Sequence, residues 1–301
     1  MSLKAFITIT RPGNTFVGAL TVIIGVLTSY RSITGFFDPT HLFTTQLGWV
    51  ILLTSLTYLS IAAAGNVVND IYDLEIDKVN RPSRPLPSGA MSVRQAKAWT
   101  VILVFLGLLF SFLTIPFSSV GIWTLAIAAL FCLIGLVYAA KGKVMGLLGN
   151  FAVSVSFAFG LFYGALITFP FIPPVIWVYF ITAASLLQGR EAIKGIEDVE
   201  GDKLRDVQTI ARKYGIPTAA RVAAVFNVIG IVGFLLPWLV NWLGLSWTGP
   251  LYIILLVPGT ICVAASAMLI LRNPEKNASR ASLADKIGAF LGLVNFILGA
   301  L

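Results

Sequence analysis

Asn69, Asp73 and Asp77 in "NVVNDIYDLEIDKVN" fall at i, i+4 and i+8, and Asp198, Asp202 and Asp206 in "IEDVEGDKLRD" repeat that interval. On a helix each set lines one face, one turn apart. Stacked carboxylates repel by roughly 0.2–0.5 kcal/mol a pair in water, and by more as the site dries. A bound cation removes that cost. Carboxylate and amide oxygens with no His or Cys beside them suit a hard ion. Mg2+ typically takes one or two carboxylates, keeps its waters and completes its shell with substrate phosphate. Two such sets can hold two ions across one diphosphate. Arg81, Arg84, Lys141, Arg190 and Lys194 flank them, and fixed guanidinium groups bind phosphate oxygens well. Asp70, Glu75, Glu197 and Glu200 point off these faces and are expected to be solvated or supporting. Asp206 is the weakest member of its row, because Gly201 interrupts the helix before it.

The elements that must position these residues are membrane helices. The chain has 301 residues, 57% hydrophobic and 11% charged, and its apolar runs reach the roughly 20 residues that cross a bilayer core. The expected fold is all-α and polytopic, with nine transmembrane helices near 13–30, 47–69, 99–116, 119–139, 146–169, 173–189, 219–241, 249–271 and 283–300. When the loops are assigned alternately to two sides, 20 of the 21 Lys and Arg fall on one side and only Arg31 on the other. By the positive-inside rule the N-terminus and both acidic clusters are cytoplasmic and the C-terminus is outside a cell membrane. The net charge of +8 therefore reports orientation and affinity for anionic membrane lipids, with no nucleic acid implied. The first apolar run follows a positive start but lacks a small-residue cleavage site, so it is expected to be retained. Cys132 and Cys262 fall inside spans and read as packing residues. His41, alone in an outside loop, reads as solvated.

The chain reads as one domain, 1–301, with an internal repeat. Helices 1–4, about 13–139, and helices 5–8, about 146–271, look like two copies of one module, leaving helix 9, about 283–300, as an addition. Asn14 opens the first module in "RPGN", Asn150 opens the second in "GLLGN", and an acidic cluster follows the second helix of each. An even number of helices per module gives a parallel repeat, whose active groups meet at its axis. Gly160 with Gly164, and Gly288 with Gly292, are spaced to let helices approach closely.

"NDIYDLEID" at 69–77, followed by "NRPSRPLPSG", resembles the first signature of the UbiA superfamily of intramembrane prenyltransferases, and "REAIKGIEDVEGD" at 190–202 is similar to its second aspartate motif. "RPGN" and "YAAKGKVMGLLGN" at 138–150 also match, in the family's order. The resemblance implies a nine-helix bundle around a central cavity open sideways to lipid and capped by the aspartate motifs. The implied reaction is Mg2+-dependent transfer of an isoprenoid chain from a polyprenyl diphosphate donor to a lipid-soluble or amphiphilic acceptor. By position, Asn69, Asp73, Asp77, Asp198 and Asp202 would hold the metal-bound diphosphate. Arg81, Arg84, Tyr138, Lys141 and Lys194 would contact its oxygens, and Asn14 and Asn150 would project into the cavity. Asp73, Asp198, Asp202 and Lys194 are the residues most directly tied to catalysis. Gly195 departs from the pattern, standing where another Asp is expected.

Within the family, "NRPSRPLPSG" together with "REAIKGIEDVEGD" looks most like the archaeal ether-lipid branch, which transfers a geranylgeranyl group from geranylgeranyl diphosphate to geranylgeranylglyceryl phosphate in phospholipid biosynthesis. The alternative is an aromatic acceptor of the 4-hydroxybenzoate or naphthoate type in quinone biosynthesis. A more distant alternative is a transporter of lipid or ions. Transport predicts acids and helix breaks near mid-bilayer, whereas the acids here gather at helix ends.

Overall fold

A computed structural model describes residues 3–44, 46–141, 147–199 and 209–301. Its elements in chain order are α1 (Leu3–Ile9), α2 (Pro12–Thr34), α3 (His41–Thr44), α4 (Leu47–Tyr72), α5 (Leu74–Asn80), α6 (Val93–Thr114), α7 (Trp123–Lys141), α8 (Leu147–Ala158), α9 (Gly160–Thr168), α10 (Pro174–Glu197), α11 (Ile210–Tyr214), α12 (Ile216–Trp242), α13 (Ile253–Arg272) and α14 (Pro274–Ala300). Among the described residues the only other regular elements are short 3-10 turns after α6 and before α13.

Eight segments are long and apolar enough to cross a membrane: α2, α4, α6 with its following turn, α7, Phe151–Thr168, α12, α13 with its preceding turn, and α14. The ninth expected span is α10. Its 24 residues reach about 36 Å at 1.5 Å per residue, but its second half carries Gln188, Arg190, Glu191 and Lys194. Polar groups are tolerated there because they face the protein interior: Gln188 is buried, and Arg190, Glu191 and Lys194 line a cavity. Counting α10, the described residues supply the nine expected helices.

Several helix ends differ from the hydropathy limits. The last helix begins at Pro274, not 283, because Asn273 caps it, accepting from Lys276 N at 3.1 Å, with Pro274 in its first turn. The third begins at Val93, where Ser92 and Gln95 form a reciprocal capping box. Capped polar turns carry these helices beyond the apolar run, and hydropathy is blind to such turns. The fifth span is divided at Phe159 into α8 and α9, yet i→i−4 bonding passes through, with Phe159 N to Val155 O at 2.9 Å and Tyr163 N to Phe159 O at 3.0 Å. His41 is not simply solvated: its Nδ1 lies 2.5 Å from Tyr30 Oη.

The helices close into a ring. α2 packs on α4 and α9, α4 on α6 and α7, α10 on α8, α12 and α14, and α14 returns to α2. Glycines set the closest crossings. A methyl group at Gly164 in α9 would lie 2.9 Å from Val26 N in α2, and one at Gly288 in α14 would lie 3.1 Å from Val263 N in α13, so backbones meet with no room for a side chain. Tyr179, Tyr252 and Phe296 stack, Tyr179 and Phe296 with ring centroids 3.8 Å apart, and Phe234 meets Phe296 edge-on. Gly164→Leu should lower unfolding stability by about 1–3 kcal/mol through overpacking. Gly13→Ala, where a methyl meets nothing within 4 Å, should not lower it; thermal unfolding in detergent reads both.

Candidate active site

The first acidic row is built on one continuous ladder. Asp73 is a turn residue between α4 and α5, but Asp73 N bonds Asn69 O at 2.9 Å, Asp77 N bonds Asp73 O at 2.8 Å and Arg81 N bonds Asp77 O at 2.9 Å. The i, i+4, i+8 residues are therefore linked by successive hydrogen bonds, as helical continuation past the apolar run requires. Asp73 and Asp77 are 6% and 5% exposed. Asn69 Oδ1 is buried with no hydrogen-bond partner.

The Arg-Pro loop folds back over this row. Pro82, Pro85 and Pro87 restrict its backbone, turns run from Arg81 O to Arg84 N and from Arg84 O to Ser88 N, each at 3.0 Å, and Leu86 and Met91 anchor it in the core beside Ala64 and Val67. Arg84 Nη1 is thereby brought within reach of two acids, donating to Asp77 Oδ2 at 2.5 Å and to Asp70 Oδ1 at 3.1 Å. Arg11 Nη2 donates to the same Asp70 oxygen.

Of the two expected roles, solvated or supporting, Asp70 thus takes the second. It is 3% exposed and shared by two guanidinium groups. Arg11 reaches it from a left-handed backbone, φ 51°, the one positive φ at a non-glycine among the described residues. Such strain costs of order 1–3 kcal/mol and persists where surroundings impose it. Asn66 Nδ2 pins the same junction by donating to Thr10 O at 2.9 Å. Glu75, by contrast, makes only an exposed pair with Lys78.

At the second motif, Asp198 ends α10, exposed, its amide bonded to Lys194 O at 2.9 Å. Lys194 Nζ pairs with Glu191 Oε1 at 2.7 Å. Gly195 is buried where α10 meets Thr209, and a methyl there would lie 3.3 Å from Thr209 Cβ, so the position that departs from the family pattern is a packing contact. Asp202, Asp206 and Glu200 lie outside the described residues. So do the side chains of Lys141 and Asn150, which end α7 and lie in the first turn of α8.

Two cavities open beneath this polar cap. One, about 220 Å³, is lined by Thr57, Ile61, Phe131, Phe159, Tyr163 and Tyr138, among others. The other, about 520 Å³, carries Arg11, Asn14, Arg190, Glu191, Lys194 and Lys286 among residues that also include Leu186, Phe234, Leu293 and Phe296. They share Tyr58, Ala62, Asn66, Asn69, Val153 and Phe157. Tyr138 has Glu191 and Asp73 as its electrostatic neighbours, which places it between the two motifs. The structure thus gathers Asn14, Asn69, Tyr138, Arg190 and Lys194 around two adjacent cavities, engages Arg84 with acids, and leaves Arg81 and Asp198 exposed.

Among the described residues no three His, Cys, Asp or Glu side chains converge as a metal cluster. The donor set that suits Mg2+ is the unpaired amide oxygen of Asn69 in one row with two carboxylates, all hard oxygen ligands. The sequence model of the UbiA prenyltransferase family matches residues 19–294. The chain belongs to that family. It is 36% identical over 315 residues to the digeranylgeranylglyceryl phosphate synthase of Saccharolobus solfataricus, covering 100% of this chain and 98% of the relative. It is 32% identical over 302 residues to the synthase of that name from Thermococcus kodakarensis, covering 100% and 99%. A solved structure concerned with digeranylgeranylglyceryl phosphate synthase in membranes is similar at TM-score 0.74 and 31% identity, covering 99% of this chain and 98% of that one. A UbiA homologue from Archaeoglobus fulgidus bound to DMAPP and Mg2+ shares the fold, at TM-score 0.61 and 15% identity over 97% and 99% of the two chains. This UbiA-family member is accordingly an integral membrane protein.

Asp70 is the residue that the i, i+4 arithmetic misses. Asp70→Ala should cost about 2 kcal/mol of stability, since it strips two guanidinium groups of a shared charged partner. Glu75→Ala should leave stability unchanged, because water screens its pair; unfolding midpoints in detergent compare the two.

Proposed function

We propose that this protein transfers a geranylgeranyl group from geranylgeranyl diphosphate to the hydroxyl of geranylgeranylglyceryl phosphate, an Mg2+-dependent step of ether-lipid synthesis. The observation that carries the reading is the chain-long similarity to relatives of that name, on a fold with two adjacent cavities beneath its polar cap. These relatives favour a phosphate-bearing lipid acceptor over an aromatic acid.

Asn69, Asp73 and Asp77 from the first motif and Asp198 and Asp202 from the second would hold Mg2+. When bound, Mg2+ neutralises the diphosphate and makes it a better leaving group. Arg81, Arg84, Lys141, Arg190 and Lys194 offer cations to the phosphate oxygens, and Arg84 can exchange its carboxylate partners for them. Tyr138 would contact the diphosphate oxygens, and Asn14 and Asn150 would project into the cavity. Phe131, Phe159, Tyr58 and Tyr163 along the smaller cavity exclude water and turn electron-rich ring faces to the allylic carbon as its C–O bond breaks. The acceptor oxygen then bonds to that carbon. Diphosphate leaves with the bonding pair, and the hydroxyl proton passes to a diphosphate oxygen or to an Asp of the cap.

The cap and N-terminus lie on the cytoplasmic side and the C-terminus outside, in keeping with the segregation of Lys and Arg. The chain is one domain with a parallel repeat. Its support is the matching pattern in which α4 packs on α6 and α10 packs on α12.

The test is product analysis with purified protein in lipid, labelled geranylgeranyl diphosphate and Mg2+, offering geranylgeranylglyceryl phosphate or 4-hydroxybenzoate. Ether product from the glyceryl phosphate alone is expected, falling at least 100-fold in Asp73→Ala and Asp198→Ala. Product from the aromatic acid alone would overturn the reading.

A further inference from the structure

Lys286 is an exposed residue of α14, a helix long and apolar enough to cross a membrane, and among the described residues it belongs to no ion pair. Hydropathy puts it four residues into the last span, near 283–300, and the helix itself begins twelve residues before it, at Pro274. It lies on the face that also carries Ala289, Phe290, Leu293 and Phe296, spaced three and four apart, all lining the larger cavity. A lysine ammonium at membrane depth is costly unless it meets water or an anion.

The other charges of this cavity have acids set against them. Arg11 pairs with Asp70 and Lys194 with Glu191. Arg190 has Asp285, which is 0% exposed, as an electrostatic neighbour without an ion pair, and Arg190 Nε and both Asp285 oxygens have no hydrogen-bond partner. The Asn227 amide faces the same carboxylate, and Asn227 Oδ1 is also unpartnered. Asp285 thus offsets the charge of Arg190 through space, and among the described residues Lys286 is the cavity cation with no acid set against it. A cavity with one surplus cation above an apolar helix face fits a lipid with an anionic head and a long tail.

We propose that Lys286 receives the phosphate of the acceptor lipid, whose isoprenoid chain lies along the Ala289–Phe296 face of α14. This rests on the reading of function above. The donor's diphosphate is drawn to the cap, where the acid rows can hold it through a metal. A second phosphate has to be bound away from those carboxylates by a cation of its own. The junction of the two cavities at Asn66 and Asn69 then brings the two substrates' reactive ends together while their tails diverge.

The experiment is initial-rate kinetics on the full chain in neutral phosphatidylcholine vesicles, so that no bilayer anion competes, with wild type, Lys286→Gln and Lys286→Arg. The Gln variant should raise the KM for geranylgeranylglyceryl phosphate at least tenfold, with the donor KM within twofold of wild type. Arginine should restore the acceptor KM, and wild-type preference for the phosphate acceptor over the corresponding alcohol should collapse in the Gln variant. A second readout needs no turnover: in EDTA without donor, the acceptor should raise the unfolding midpoint of wild type and of the Arg variant but not of the Gln variant. Lys286→Met, which keeps the apolar stem, replaces the Gln variant if that fails to fold. An unchanged acceptor KM overturns the subsite alone, and so does an equal rise in both KM values, which assigns the charge to the donor. Absence of wild-type product from the glyceryl phosphate overturns the functional reading and the subsite together.

Discussion

Four charges alternating in space, Arg11, Asp70, Arg84 and Asp77, tie the polar cap to the bundle. Each belongs to a different stretch of chain: the entry to α2, the end of α4, the Arg-Pro loop and α5. A row of carboxylates at the edge of an apolar bundle would repel itself open. Two guanidinium groups set against two buried acids remove that repulsion and fix the loop, and removing one partner of such a network leaves the others uncompensated. The strained backbone of Arg11 and the prolines of the loop make sense as parts of this closure.

The closure also explains how one cap can serve an anionic substrate. Its cations are held by acids in the arrangement described, so their positions are set before any diphosphate arrives, which lowers the ordering cost of binding. Beneath them the chemistry changes within a few residues: Asn66 and Asn69 sit at the rim, and Tyr58, Ala62 and Phe157 lie in the wall common to both cavities. A charged head is held at the rim while an allylic carbon sits on the dry side of it.

Much of this was legible in the sequence because it rests on local regularities. Apolar length located the spans, and the four-residue interval of Asn69, Asp73 and Asp77 identified a row that the backbone ladder does form. What escaped was set by distant chain segments. Asp70 points off that row, and its importance comes from Arg11, 59 residues earlier. Lys286 reads as a charge at the start of the last span until the Asn273 cap extends that helix to Pro274 and sets Lys286 well inside it. Asp285 and Asn227, buried polar groups facing each other between α12 and α14, carry no periodic signature. Gly195, a departure from the family pattern, becomes intelligible only where it packs on Thr209.

The central claim is that the Asn69–Asp73–Asp77 row and its arginines bind a metal-diphosphate. Titration calorimetry of geranylgeranyl diphosphate into the protein, without acceptor, tests it with and without Mg2+ in wild type and in Asp73→Asn. The account predicts at least tenfold tighter binding with Mg2+ in wild type and almost no Mg2+ dependence in the variant. Equal affinity in all four conditions would contradict it.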